Sequence, residues 1–249
     1  MSLAILLSLP CREAAGQDRG EASSQDTKAN PLPTYDAIVF DMDGVLADSE
    51  PVYFAAMQAV LGPLGHEVTE AHQRAVMGHS IQDTWAYLRE TFNLEGLLDA
   101  LVDAYDVAIK GMLAEIHETL PGVRELIAEL RARSVPIAVA SSSLPSWIEA
   151  LLTGLRLNDG FDALVSATMV AHPKPAPDIY LEAARRLGTP PERCIAIEDT
   201  PTGLRSAKGA GMLTVQVRAS STAWPPQPEA DVALETLREF DLSMVTADI

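Results

Sequence analysis

Apolar residues along this chain fall into two alternating patterns. Short continuous runs of four to six residues read as buried strands, and runs spaced i, i+3, i+4, i+7 read as amphipathic helices. The first run is Ala37-Ile38-Val39-Phe40. Pro121-Gly122 opens a helix carrying Val123, Leu126, Ile127 and Leu130, and a strand from Val135 to Ala140 follows. A helix with Ile148, Leu151, Leu152 and Leu155 precedes a weaker strand, Phe161 to Ser166. Pro177 starts a helix with Tyr180, Ala183, Ala184 and Leu187, which Gly188 stops. Cys194 to Ile197 and Leu213 to Val217 complete the strands. Strands alternating with helices predict an α/β fold, with a parallel sheet covered on both faces.

One block breaks the alternation. Residues 53–118 are helical almost throughout, with Ser80 as the expected N-cap before Ile81, Trp85, Leu88 and Phe92. A long helix is then predicted to carry Leu94, Leu97, Leu98, Leu101, Tyr105, Ala108, Ile109, Met112 and Leu113. A helical block inserted after the first strand would hang over that strand's carboxyl end. The expected organisation is therefore a Rossmann-like parallel sheet core, residues 34–52 and 119–249, with an inserted α-helical cap domain, residues 53–118. Residues 12–34 are rich in Gln, Ser, Glu, Asp and Lys, and residues 1–33 read as a disordered extension. Leu3 to Leu9 is apolar but lacks a preceding basic residue; a cleaved secretion signal is the alternative reading.

Composition narrows the partners. The formal net charge is −17, a surface that repels a phosphate backbone, so nucleic acid is not an expected partner. No apolar run is long enough to span a membrane. Cys11 and Cys194 are the only cysteines, so no disulfide framework exists, which favours a reducing, cytoplasmic compartment. Nothing in the pattern indicates an oligomeric state.

The chemistry gathers at strand ends, where open α/β sheets bind ligands. Asp41-Met42-Asp43-Gly44 follows the first strand. On an extended backbone Asp41 and Asp43 would project to the same side and attract a hard divalent cation. Asp-x-Asp-Gly also occurs in calcium loops and ordinary turns. Ser141-Ser142-Ser143 could hold a phosphate oxygen or merely cap the next helix. In His172-Pro173-Lys174-Pro175-Ala176-Pro177 the lysine could neutralise a phosphate, or be a solvated loop residue. Glu198-Asp199 fits a metal, or acids at a helix N-terminus.

The four signals in this order resemble the haloacid dehalogenase superfamily of phosphatases and phosphomutases. The resemblance spans residues 36 to about 235, through "DMDGVLADSEP" at 41–51, "KPAPDIY" at 174–180 and "IEDTPTGLRSAKGAGM" at 197–212. It is closest to the helical-cap subfamily that includes phosphoglycolate phosphatase, beta-phosphoglucomutase and small sugar-phosphate phosphatases. The resemblance implies Asp41 as nucleophile and Asp43 as acid/base, with Ser141, Ser142 and Lys174 binding the phosphoryl group. It implies Mg²⁺ held by Asp41, the Asp43 backbone carbonyl and Asp199, with Glu198 in or beside the ligand set. Asp48, Ser49 and Glu50 lie in the turn leading to the cap, as helix-entry residues first and substrate contacts second, and Glu50, Tyr53 and His79 are the expected substrate-side residues. The implied activity is Mg²⁺-dependent hydrolysis of a small phosphorylated metabolite, a sugar phosphate or phosphorylated acid, through an aspartyl-phosphate. A hexose-phosphate mutase of the beta-phosphoglucomutase type is the alternative. Against it, Tyr53, Met77 and Ile81 stand where that pattern has a histidine and a basic pair. A non-catalytic phosphometabolite-binding protein is the third reading; Asp41 and Lys174, both present, argue against it.

Overall fold

Strand β1, Ala37–Phe40, is buried along its whole length and forms the centre of a parallel sheet. The structure is a computed structural model that describes residues 34–76, 81–96, 98–221 and 223–246. The expectations for residues 1–33, and the readings placed on Leu97 and on Met77, His79 and Ser80, lie outside the described residues.

After β1 come helices α1 (Glu50–Leu61), α2 (Glu70–Val76), α3 (Ile81–Thr91) and α4 (Leu98–Ala114). The chain then alternates: α5 (Val123–Ala132), β2 (Ile137–Ser141), α6 (Pro145–Gly154), β3 (Ala163–Ser166), α7 (Asp178–Leu187), β4 (Cys194–Glu198), α8 (Pro201–Gly209), β5 (Leu213–Val217) and β6 (Val232–Leu234). The six strands stand in the order β3-β2-β1-β4-β5-β6. This is the doubly wound order whose direction reverses beside β1, and the crevice at that point is the standard ligand position.

The period-2 geometry of β1 explains how both faces are covered. Ile38 and Phe40 belong to a cluster with α5 and α6, including Leu126, Ile127, Ile148 and Leu151. Ala37 and Val39 belong to a second cluster with Ile179, Ala183 and Ala207 of α7 and α8. Large residues face one layer and small ones the other, so α7 and α8 can lie close to the sheet. Emptying a fully buried position such as Phe40 to alanine costs about 3–5 kcal/mol.

The helices inserted after β1 continue the first cluster. Leu61, Leu88, Ile109 and Leu113 are fully buried and join the apolar layer that reaches Phe40. Helix α4 packs against α1, α3 and α6. Trp147 of α6 donates from Nε1 to Asp106 Oδ1 of α4 at 2.8 Å, fastening the insertion to the sheet's flank.

Three details differ from the sequence expectation. The long helix begins at Leu98, not Leu94, because Asn93 (φ +49°) and Gly96 (φ +118°) take left-handed conformations that a helix cannot accommodate. The first inserted helix begins at Glu50, with Pro51 in its first turn, a position where proline's missing N–H costs nothing. Strand β6 adds an unanticipated edge, pairing Val232, Ala233 and Leu234 with β5.

Candidate active site

The carboxyl ends of β1, β2 and β4, with the loop after β3, bring the sequence candidates together. Lys174 is the hub. Its side chain is 6% exposed, and Nζ donates to Asp41 Oδ1 and to Glu198 Oε1, each at 2.6 Å. It also donates to the Ala140 carbonyl at 3.1 Å and to the Tyr180 hydroxyl at 3.3 Å. The lysine is thus no solvated loop residue. Burial disfavours its charge, but Asp41 and Glu198 win and hold its pKa above the ordinary lysine value.

Glu198 is fully engaged. Oε1 accepts from Lys174 and from Tyr180 Oη at 2.8 Å; Oε2 accepts from Asp199 N, Thr200 N and Thr200 Oγ1, all at 3.1 Å. Burial opposes its ionisation, yet Lys174 and these donors hold the carboxyl below its usual value. With both oxygens occupied, Glu198 orients Lys174. Helix α8 is capped by Thr200, whose Oγ1 accepts from Gly203 N, so Glu198 and Asp199 precede the cap.

Asp41 and Asp199 are the strained members. Burial, only partly offset for Asp41 by Lys174, pushes Asp41 up to about 8. Burial, then Glu198 and Asp41, push Asp199 up to about 9. Asp199 Oδ1 is buried without a hydrogen-bond partner. Ligand atoms of Asp41, Glu198 and Asp199 lie within 4.8 Å of one another. Three carboxylates against one lysine, with an orphaned oxygen among them, fit a hard divalent cation. Gly44 (φ +76°) makes room: a Cβ there would collide with the Asp199 carboxylate.

The carboxylate of Asp43 stands apart from that cluster. The chain leaves β1 after Phe40 and bends at Met42, so Asp41 and Asp43 do not continue one extended strand. Asp43 Oδ1 accepts from Ser49 Oγ and, at 2.8 Å, from Tyr53 Oη; Oδ2 accepts from Ser143 Oγ at 3.0 Å. Any part of Asp43 in a metal site would be its backbone carbonyl.

Among the serines after β2, Ser141 is fully buried, and its Oγ accepts from Ser143 N at 3.0 Å. Ser142 is exposed. Glu50 is partly buried and accepts from Gln73 Nε2 at 3.1 Å; burial pushes its carboxyl up. Sequence reasoning missed Ser143 and Tyr180. Ser143 was hidden in a serine run, and Tyr180 was assigned only to an apolar helix face. The tyrosine's place in "KPAPDIY" was the available signal.

A parallel sheet whose switch point holds a buried lysine between carboxylates defines a class: an α/β protein with its charged groups gathered at the carboxyl ends of its strands. A model of the haloacid dehalogenase-like hydrolase family matches residues 35–211, and the chain belongs to that family. Hexitol phosphatase B of Escherichia coli K12 is 35% identical over 209 residues, covering 82% of this chain and 93% of the relative. Fructose-1-phosphate phosphatase YqaB of the same organism is 37% identical over 187 residues, covering 74% and 97%. Among solved structures, CbbY of Rhodobacter sphaeroides in complex with phosphate superposes with a TM-score of 0.69 at 28% identity, covering 83% of this chain and 96% of that one. A putative beta-phosphoglucomutase of Thermotoga maritima superposes with 0.70 at 29% identity, covering 82% and 95%. No helix among the described residues is long and apolar enough to cross a membrane.

Proposed function

We propose that this hydrolase is a Mg²⁺-dependent phosphatase of small sugar or polyol monophosphates, working through an aspartyl-phosphate on Asp41. The observation that carries the reading is Lys174 Nζ bridging Asp41 and Glu198 at 2.6 Å each, beside the unpartnered Asp199 Oδ1. The relatives named as hexitol and fructose-1-phosphate phosphatases support the substrate class.

In the proposed reaction an Asp41 carboxylate oxygen attacks phosphorus and the bond to the sugar oxygen breaks. Asp43 gives the leaving oxygen its proton. Asp43 then takes a proton from water, which attacks the aspartyl-phosphate and releases inorganic phosphate and free Asp41. Lys174 keeps its proton throughout and meets the charge gathering on the phosphoryl oxygens. Ser141, Ser142 and nearby backbone N–H groups receive the remaining oxygens. Asp41, Asp199 and the Asp43 carbonyl would hold Mg²⁺, which offsets the repulsion between Asp41 and a phosphate dianion. The helices between residues 53 and 118 act as a cap, with Glu50, Tyr53 and His79 on the substrate side.

Hydrolysis is favoured over the mutase reaction because turning a bisphosphate requires a fixed cation for the distal phosphate. Tyr53 supplies a neutral phenol instead, since burial and the Asp43 charge hold its pKa well above the ordinary value. A panel of hexitol, hexose and short acid monophosphates assayed with Mg²⁺ tests the reading. Phosphate release from hexitol or hexose monophosphates is expected. Beta-glucose 1-phosphate with glucose 1,6-bisphosphate is expected to give only trace glucose 6-phosphate. Robust isomerisation with little phosphate released would establish the mutase alternative, and no turnover of any ester would establish a binding protein.

A further inference from the structure

We propose that Tyr53 is a positioning residue for the proton-transfer carboxylate, fixing Asp43 together with Ser49 and Ser143 so that Oδ2 is the oxygen that handles the proton. The inference rests on the reading of Asp43 as the acid/base. It assigns Tyr53 a place in the core machinery, in addition to any contact with substrate.

The donors come from two directions. Ser49 and Tyr53 are four residues apart where α1 begins, so they project on one side of the helix start. Both reach Asp43 Oδ1. Ser143 comes from the loop after β2 and donates to Oδ2. Tyr53 Oη and Ser143 Oγ are themselves 3.0 Å apart, which closes the ring of hydroxyls around the carboxylate. Two donors saturate Oδ1, whereas Oδ2 has one and keeps a lone pair for another partner. In the first half-reaction the proton on Oδ2 passes to the leaving oxygen. In the second, Oδ2 takes one from the attacking water.

The phenol is placed by packing, not by the hydrogen bond alone. Its ring meets Trp147 with centroids 5.9 Å apart at 50°. Trp147 is held by its Nε1 bond to Asp106 and by an edge contact with Tyr105 at 5.8 Å. A ring braced this way turns its hydroxyl to one point, and raising the phenol's pKa keeps it a donor. A carboxylate free to rotate would spend less time aimed at the leaving oxygen, and misplacements of about 1 Å in active sites cost up to roughly 100-fold.

The test uses the full-length chain with Mg²⁺ and two esters. Sorbitol 6-phosphate leaves as an alkoxide and needs a proton, whereas p-nitrophenyl phosphate leaves as a stable phenolate and does not. kcat/KM reports the steps through the first phosphoryl transfer, where that proton is given. For Tyr53→Phe, kcat/KM on sorbitol 6-phosphate is expected to fall roughly 10- to 100-fold, and on p-nitrophenyl phosphate by less than about 3-fold. Ser143→Ala, which leaves the aromatic packing intact, is expected to show the same selectivity, and thermal midpoints confirm that both variants fold. An equal loss on both esters, or no loss, overturns the role given to Tyr53. Asp43→Asn separates the two levels. Selective loss there without selective loss in Tyr53→Phe defeats the positioning inference alone. Equal loss on both esters in Asp43→Asn defeats the acid role, and the inference with it.

Discussion

Gly203 and Glu198 approach so closely that a methyl group on Gly203 would fall within the Glu198 carboxylate. Gly203 lies in the first turn of α8, in an ordinary helical conformation, so its lack of a side chain serves proximity, not backbone freedom. The glycine lets Glu198 reach Lys174, and Lys174 in turn reaches Asp41.

Gly203→Ala should therefore act on catalysis through two intermediaries. The Glu198 carboxylate must move, Lys174 loses one anchor, and the lysine–Asp41 contact loosens. Overpacking of this kind costs about 1–3 kcal/mol. Turnover of the best sugar monophosphate is expected to fall by roughly 10- to 100-fold, in line with small misplacements in active sites. Unfolding in urea and steady-state kinetics on the same sample check both numbers. Unchanged turnover would show that Glu198 does not govern Lys174.

Asp41→Asn keeps the shape of the side chain and removes the attacking charge. The loss in kcat should be roughly three orders of magnitude or more, as for loss of a covalent nucleophile. Quenched reactions of the wild type should yield acid-stable, hydroxylamine-labile phosphate on the protein, absent from the variant. A variant retaining a tenth of wild-type turnover would remove Asp41 from that role.

Lys174→Met tests the hub. The variant keeps the length of the stem and leaves Asp41 and Glu198 facing each other without a cation. Breaking a buried pair from one side costs on the order of 3–5 kcal/mol. Urea titration at pH 7.5 should show that loss. Lowering the pH should recover part of it, because the stranded carboxylates can then take up protons.

The pH dependence of the metal-free chain follows from the raised carboxyls. Asp41 at about 8 and Asp199 at about 9 hold protons in the folded state that the unfolded chain, at 3.8, has released. A raised carboxyl stabilises the fold below its unfolded value and loses that contribution as the pH climbs to the folded one. In chelator, then, the thermal midpoint should fall between pH 6 and pH 9 through these two groups. Mg²⁺ should raise it more at pH 9 than at pH 6, since the cation replaces the missing protons. Chelation should also abolish phosphatase activity, and Asp199→Asn should increase the Mg²⁺ needed to restore it. A midpoint that rises with pH in chelator, or full activity there, would contradict this account.

Sequence alone was sufficient wherever the physics is local. A short apolar run between turns is a buried parallel strand, so Ala37–Phe40 and Leu213–Val217 were legible to the residue. Residues just past such strands sit at the sheet's carboxyl edge, which placed Asp41, Lys174, Glu198 and Asp199 in one region before any coordinates. The edge strand Val232–Leu234 was not legible, because an apolar run of only three residues is too short to tell from an ordinary loop segment. The start of α4 was placed too early because apolar spacing persisted from Leu94 across Gly96, whose left-handed backbone no helix accommodates.

Tertiary structure decided what each strand-end residue touches. Lys174 and Asp41 are separated by 133 positions in sequence, and their 2.6 Å contact exists because the loop after β3 leads into α7, which packs back across β2 and β1. Tyr180 joined the site because α7 lies close on the small-residue face of β1. A bend at Met42 separates Asp41, grouped with Glu198 and Asp199, from Asp43, whose partners came from α1 and the β2 loop. Local pattern sets which element a residue belongs to. Which oxygen meets which donor depends on how elements distant in sequence converge, and a one-dimensional pattern does not hold that information.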